Sequence, residues 1–215
     1  FDNSLAFIQP YILNEVDPSR MLIGSSFLYE SDSALAGDTL DALTGLTDLT
    51  NNGIDDDQDG MADPDADEWR PANSVGVRGM AYGGRLNGAD VADIIYFGSA
   101  GATVNGNFGR LFRRTVNSTS SLADFTTLTN YPGGTPQDIV LDPDDWRVGY
   151  VLDTSERVFH FANAGAAAAD WTELTGSLGL LSSDLRTIEL VTPTIGDTPA
   201  ILGDDTVLVG GLGGV

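Results

Sequence analysis

The residues best spaced for chemistry in this chain are carboxylates. Asp55, Asp57 and Asp59 alternate within Asn51-Asn52-Gly53-Ile54-Asp55-Asp56-Asp57-Gln58-Asp59-Gly60-Met61-Ala62-Asp63-Pro64-Asp65-Ala66-Asp67-Glu68. Alternate Asp residues ahead of a Gly make the first half of a calcium loop. The carboxylates converge on one ion, the Gly permits a sharp turn, and the next carbonyl, that of Met61, supplies an oxygen. Asp63 follows at the ninth loop position, but the twelfth is Ala66, where an EF-hand needs a bidentate Glu. The shell is therefore completed in another register, by Asp65, Asp67 or Glu68. The competing reading is a solvated acidic loop. Regular spacing and the apolar anchors Ile54 and Met61 argue against it, and so does the self-repulsion of a folded loop lacking a cation. The expected cofactor is calcium, in a structural role, within an acidic insertion at residues 41–74.

No other group of residues makes a comparable case. The chain has no Cys, so it holds no disulfide, thiolate nucleophile or Cys-based zinc site. His160 is the single His, set in Val158-Phe159-His160-Phe161, and a strand there turns it away from both Phe side chains. No nucleophile-elbow motif accompanies it. A glycosidase needs two carboxylates across a cleft, and among so many Asp residues no pair is privileged. Asp17 and Asp153 are expected to cap turns. Arg78, Arg110, Arg113, Arg114, Arg147 and Arg157 are expected to pair with the surplus Asp. The Gly-rich stretches Gly98-Ser99-Ala100-Gly101 and Gly210-Gly211-Leu212-Gly213-Gly214 are read as hairpin turns rather than phosphate cradles. Trp171 is assigned to the core, and Trp146, in a polar turn, to a ligand contact or to packing on the next unit.

The elements that carry these residues recur. Four stretches share one plan, a polar Asp-bearing turn followed by a short apolar run: residues 17–24, 92–98, 144–152 and 204–210. Unit one covers residues 5–49, with strands expected at 11–14, 21–24 and 27–30. Unit two has strands at 79–84, 94–98, 110–115 and 125–129. Unit three has them at 138–141, 149–152, 157–161 and 171–175, and unit four at 185–191 and 206–209. Short strands between turn signals define an all-β protein. Four antiparallel strands in a unit of about 50 residues is the rhythm of β-propeller blades. A β-sandwich is the alternative. Residues 1–215 are thus expected to form four consecutive blades or part-blades of a larger propeller. Unit four is read as broken at Val215, which aligns with Leu28, Leu111 and Val158, and the true N-terminus is expected upstream of Phe1.

Charge narrows the function classes. The net charge of the 215 residues is -22, and every basic residue is Arg. Such a field repels phosphate backbones and anionic lipid, which argues against nucleic-acid and membrane-surface roles. No run is long and apolar enough for a membrane-spanning helix. Acidity without Lys suits a saline habitat, where salt screens self-repulsion, or a GC-rich genome.

The Asp-Pro turn, the Gly or Asp after the strand, and the closing Phe125-Thr126-Thr127-Leu128-Thr129 and Trp171-Thr172-Glu173-Leu174-Thr175 resemble bacterial-neuraminidase-repeat propellers. Those include sialidases, sortilin-type domains and xyloglucan-cleaving glycosidases. Residues 135–147 look like the blade opening of large bacterial members. The family's Asp-box is degenerate here, in Ser31-Asp32-Ser33 with Gly37-Asp38-Thr39, and in Asn163-Ala164-Gly165 leading to Trp171-Thr172. The segment at 51–68 resembles the Asp-rich calcium repeats of thrombospondin-type extracellular proteins. The repeats, the acidic insertion and the absence of a catalytic pattern lead to the expectation of a secreted or cell-surface bacterial module for binding or assembly, calcium-stabilised and non-enzymatic, with a protein or carbohydrate partner and further blades. The alternative is a polysaccharide-active glycoside hydrolase whose cleft is shared with other blades. A sialidase would need an Arg cluster, a Tyr nucleophile and acid partners, and no such pattern is recognisable in the sequence.

Overall fold

The computed structural model describes residues 10–24, 28–31, 46–48, 77–104, 107–115, 125–192 and 205–212. Strands dominate, in four separate antiparallel sheets that follow one another along the chain. The first contains β1 (Tyr11–Leu13), β2 (Met21–Gly24), β3 (Leu28–Ser31) and β4 (Leu46–Asp48). The second contains β5 (Met80–Leu86), β6 (Ala89–Val104), β7 (Asn107–Arg114) and β8 (Phe125–Thr127). The third contains β9 (Pro136–Leu141), β10 (Gly149–Asp153), β11 (Val158–Phe161) and β12 (Trp171–Glu173), and the fourth pairs β13 (Ser183–Val191) with β14 (Thr206–Leu212). Each sheet is a meander in which consecutive strands are neighbours. A one-turn helix, α1 (Leu178–Leu181), links the third sheet to the fourth. The all-β expectation and the four-unit division both hold. The strand Leu46–Asp48 falls in the last part of unit one and within residues 41–74.

Alternation along each strand builds the core, because successive side chains point to opposite faces. Tyr82, Ile95, Phe97, Phe112 and Phe125 of the second sheet pack on Leu22 and Leu28 of the first. The residues between them, including Ala81, Ile94, Tyr96 and Leu111, pack on Ile139, Leu141, Val151 and Phe161 of the third. The third sheet's opposite face, with Leu152 and Val158, meets Leu185 and Ile188 of the fourth. A sheet covered on both faces needs apolar residues at every position. This explains the unbroken run Ile94-Ile95-Tyr96-Phe97, which is almost entirely buried. Burying each large side chain of this kind contributes about 1.5–3 kcal/mol.

The first strands of successive sheets adjoin one another. The Glu15 N–H donates to the Tyr82 carbonyl at 2.9 Å, tying the first sheet to β5. A methyl group on Gly79, just before β5, would lie 2.9 Å from the Asp138 nitrogen of β9. In turn the Asp138 carboxylate accepts from the Ile188 N–H at 2.8 Å and the Thr187 hydroxyl at 2.9 Å, both on β13.

Two local readings change. Gly98 to Gly101 do not form a hairpin turn; they lie inside β6, at a register shift between Gly98 and Ala102. Gly98 is required because a Cβ there would collide with the Pro136 ring of the third sheet. Gly210 and Gly211 likewise lie within β14, Gly210 against the Thr187 methyl. The β5–β6 turn is instead made by Asn87-Gly88, both at positive φ, as a two-residue hairpin demands.

Candidate functional site

The carboxylates of the second-strand turns are scaffold. Asp17 accepts from the Ser19 hydroxyl at 2.6 Å and the Ser19 N–H at 3.2 Å. Asp153 is fully buried and accepts from the N–H groups of Gly134, Ser155 and Arg157 and from the Arg157 guanidinium, at 2.7–3.0 Å. Both cap turns, as their positions suggest. Asn14 and Asp142 do the same work at the ends of β1 and β9. The Asn14 side-chain oxygen takes the Val16 and Asp17 N–H groups, and Asp142 takes those of Asp144 and Asp145. The turn at Asn163-Ala164-Gly165 is also structural. Its Ala164 carbonyl receives the Arg113 guanidinium at 2.6 Å, and its Gly165 carbonyl receives the Trp171 indole N–H at 3.2 Å.

Between the first and second sheets lies a cluster of charged groups that the sequence reading did not assemble. Glu30 is bound by both terminal nitrogens of Arg114 at 2.8 Å, by Arg20 at 2.6 Å and by the Tyr82 hydroxyl. Arg20 also reaches Asp93 at 2.7 Å, and the Arg114 Nε donates to the Asp93 carbonyl. Burial by itself would raise the Glu30 carboxyl, but the bonds from Arg114, Tyr82 and Arg20 hold it at about 2. Burial, then the bond to Glu30, pushes the Tyr82 phenol far above its usual range. Held this way, the two groups tie the first sheet to the second. The signal was available in the alternation: Arg20, Glu30, Tyr82 and Arg114 occupy the parity of Leu22, Leu28, Met80 and Phe112, which face the core. Arg147 pairs with Asp145 and Arg157 with Asp153, as expected of the arginines; Arg114 departs from that expectation by choosing a Glu, and Arg110 and Arg113 by donating to the carbonyls of Gly133 and Ala164.

Where the first strands end, each sheet brings an ionisable residue toward its neighbours. Glu15 follows β1, Arg85 closes β5, Asp142 follows β9, Glu189 lies in β13, and Asp205 precedes β14. These groups feel one another. The Glu15 carboxyl is raised by burial, lowered by Arg85, and raised again by Asp142 and Glu189. Asp142 is raised by burial against the bonds from Asp144 and Asp145, with Asp205 and Asp144 adding to the rise. Burial, with Asp205 and Asp142, raises the Tyr150 phenol as well. This largely acidic group at the strand ends is the candidate functional surface: its negative field suits a cation or a basic segment. Among the described residues, no three His, Cys, Asp or Glu side chains come together as metal ligands.

Asp55, Asp57, Asp59, Met61, Asp63, Asp65 and Asp67 lie outside the described residues, as does Trp69. His160 packs on Tyr150 with ring centres 5.1 Å apart, on the face opposite Phe161, and burial lowers its pKa. Trp146 packs into the cluster between the second and third sheets, so its partner is the preceding sheet rather than the next. No helix among the described residues is long and apolar enough to cross a membrane. Comparison with family models, curated proteins and solved structures finds no match to this chain.

Proposed function

We propose that this chain is a run of consecutive β-propeller blades in a secreted or cell-surface bacterial protein, serving as a non-enzymatic module for binding or assembly. One observation carries the reading: meander sheets stack face to face in chain order, with their first strands adjoining, as blades around an axis do. The largely acidic group at the ends of those strands supports a binding role. The buried, ionised Glu30 and the suppressed Tyr82 phenol speak for structure rather than catalysis at the one place where tyrosine, glutamate and arginine meet. Calcium in the insertion at residues 41–74 completes the proposal, held by Asp55, Asp57, Asp59, the Met61 carbonyl and Asp63, with Asp65 or Asp67 closing the shell.

Isothermal titration with calcium, paired with thermal melts in calcium and in chelator, tests the metal. No heat of binding and an unchanged melting temperature would remove it. A glycan array together with turnover assays on plant and marine polysaccharides tests the absence of enzymatic activity. Turnover that survives purification would replace the binding module with a hydrolase.

A further inference from the structure

We propose that the turn between β5 and β6 is a site of spontaneous covalent modification. There the backbone nitrogen of Gly88 attacks the side-chain amide of Asn87 and converts it, through a cyclic imide, to aspartate or isoaspartate. The reaction goes beyond the binding role and needs only water as co-reactant.

Two groups must be unheld for this ring to close: the side-chain amide of an Asn and the backbone N–H of the next residue. Three other asparagines show what holding them looks like. The Asn14 amide donates to the Ala92 carbonyl at 2.6 Å, and the following Glu15 N–H donates to the Tyr82 carbonyl at 2.9 Å. The Asn130 amide donates to the Ala166 carbonyl at 2.9 Å, and the Tyr131 N–H to the Leu128 carbonyl at 3.0 Å. The Asn163 amide donates to Asp170 at 2.9 Å, and the Ala164 N–H to the Arg147 carbonyl at 2.7 Å. In each case attack must first break a bond at both ends, and each such bond contributes about 0.5–1.5 kcal/mol.

At Asn87 neither end is held. Among the described residues, no partner binds the Asn87 side chain or the Gly88 N–H. Both residues are exposed, at φ of 53° and 78° in the two-residue turn closed by Leu86 opposite Ala89. Gly88 adds no side chain to shield its nitrogen, and a Cβ there would meet nothing within 4 Å. The ring therefore forms in open solvent without displacing a neighbour.

In the first step solvent base takes the Gly88 amide proton. The nitrogen bonds to the Asn87 side-chain carbonyl carbon, and the side-chain nitrogen leaves as ammonia. Water then opens either imide carbonyl, giving aspartate or isoaspartate; one water enters, one ammonia departs, and nothing is oxidised or reduced. Either product adds a negative charge beside the pair of Arg85 and Asp90, which meet at 2.8 Å. Isoaspartate also carries the main chain through the side-chain carbon and lengthens the turn. The turn is tied to the third sheet, because Leu86 bridges Asp145 and the Arg85 carbonyl accepts from the Trp146 N–H at 2.9 Å. Modification thus reaches the contact between two sheets, at the end where Arg85 meets the acidic group.

The test is timed incubation of the folded 215-residue chain at pH 6 and pH 8, with and without urea. Trypsin cuts at Arg85 and Arg110 to release residues 86–110, and fragment-ion mass spectrometry places any amide-to-acid change. Expected is first-order conversion at Asn87 in the folded chain, faster at pH 8, with isoaspartate among the products and Asn14, Asn130 and Asn163 still amides. Gly88→Asn keeps a residue that tolerates positive φ but crowds the nitrogen. It should slow the reaction roughly tenfold, a barrier higher by about 1.4 kcal/mol. No conversion at Asn87 in the folded chain overturns the proposal, as does conversion in urea alone. Equal rates at Asn14, Asn130 or Asn163, or an unchanged rate in Gly88→Asn, overturn it too.

Discussion

Arg114 and Glu30 face each other across the first two sheets as a two-pronged ion pair, Nη1 to Oε2 and Nη2 to Oε1, each at 2.8 Å. Both residues are buried. Removing one partner from such a pair leaves an uncompensated charge, which costs about 3–5 kcal/mol. Arg114→Met should therefore lower the denaturant midpoint sharply. The double variant Arg114→Met with Glu30→Met should recover much of the loss. Urea unfolding of the two variants checks this.

The same pair sets an acid limit. Glu30 titrates at about 2 in the folded protein against an ordinary value of 4.5. A depressed carboxylate stabilises the fold fully above 4.5, and that contribution, roughly 3 kcal/mol, is lost as pH falls from 4.5 through 2. Stability measured between pH 6 and pH 2 should fall in this window. In Glu30→Gln the part of the slope due to this group should be gone.

Asp153 holds the turn between β10 and β11 and pins Gly134, ahead of β9, with one carboxylate. Asp153→Ala leaves three part-buried N–H groups without this acceptor and should destabilise by about 1–3 kcal/mol. Asp153→Asn keeps an oxygen for part of the set and should lose less. Thermal melts of the two variants order them.

Gly98 reports on the packing of the second sheet against the third. Gly98→Ala drives a methyl into Pro136 and should destabilise by about 1–3 kcal/mol. Gly179→Ala, in α1 with nothing near its missing side chain, should be neutral or gain up to about 1 kcal/mol. Equal melting temperatures for the two variants would contradict the stacking of these sheets.

Calcium dependence should be local to the insertion. Replacing Asp55, Asp57 and Asp59 together by Ala should lower the melting temperature in calcium and leave the value in chelator unchanged. Differential scanning calorimetry in the two buffers makes the comparison.

The strand plan could be read from the sequence because a strand needs only local instructions: alternation, β-branched and aromatic residues, and turn chemistry at each end. The fourth strand of the first sheet was harder. Leu46–Asp48 is three residues long and sits where acidic composition conceals any pattern. The length of β6, from Ala89 to Val104, was also hidden, since glycine reads locally as a turn and only the approach of Pro136 explains Gly98.

By itself, then, the sequence determined the all-β class, the four units, the capping roles of Asp17 and Asp153, and the outward turn of His160 from its Phe neighbours. Each depends on residues close together in the chain. Tertiary structure alone decided that Glu30, Arg20, Tyr82 and Arg114 meet, and that Trp146 packs on the preceding sheet. Alternation tells which face a side chain takes. What lies across that face, a charge, a ring or a space, depends on a sheet tens of residues away, and no local pattern encodes it.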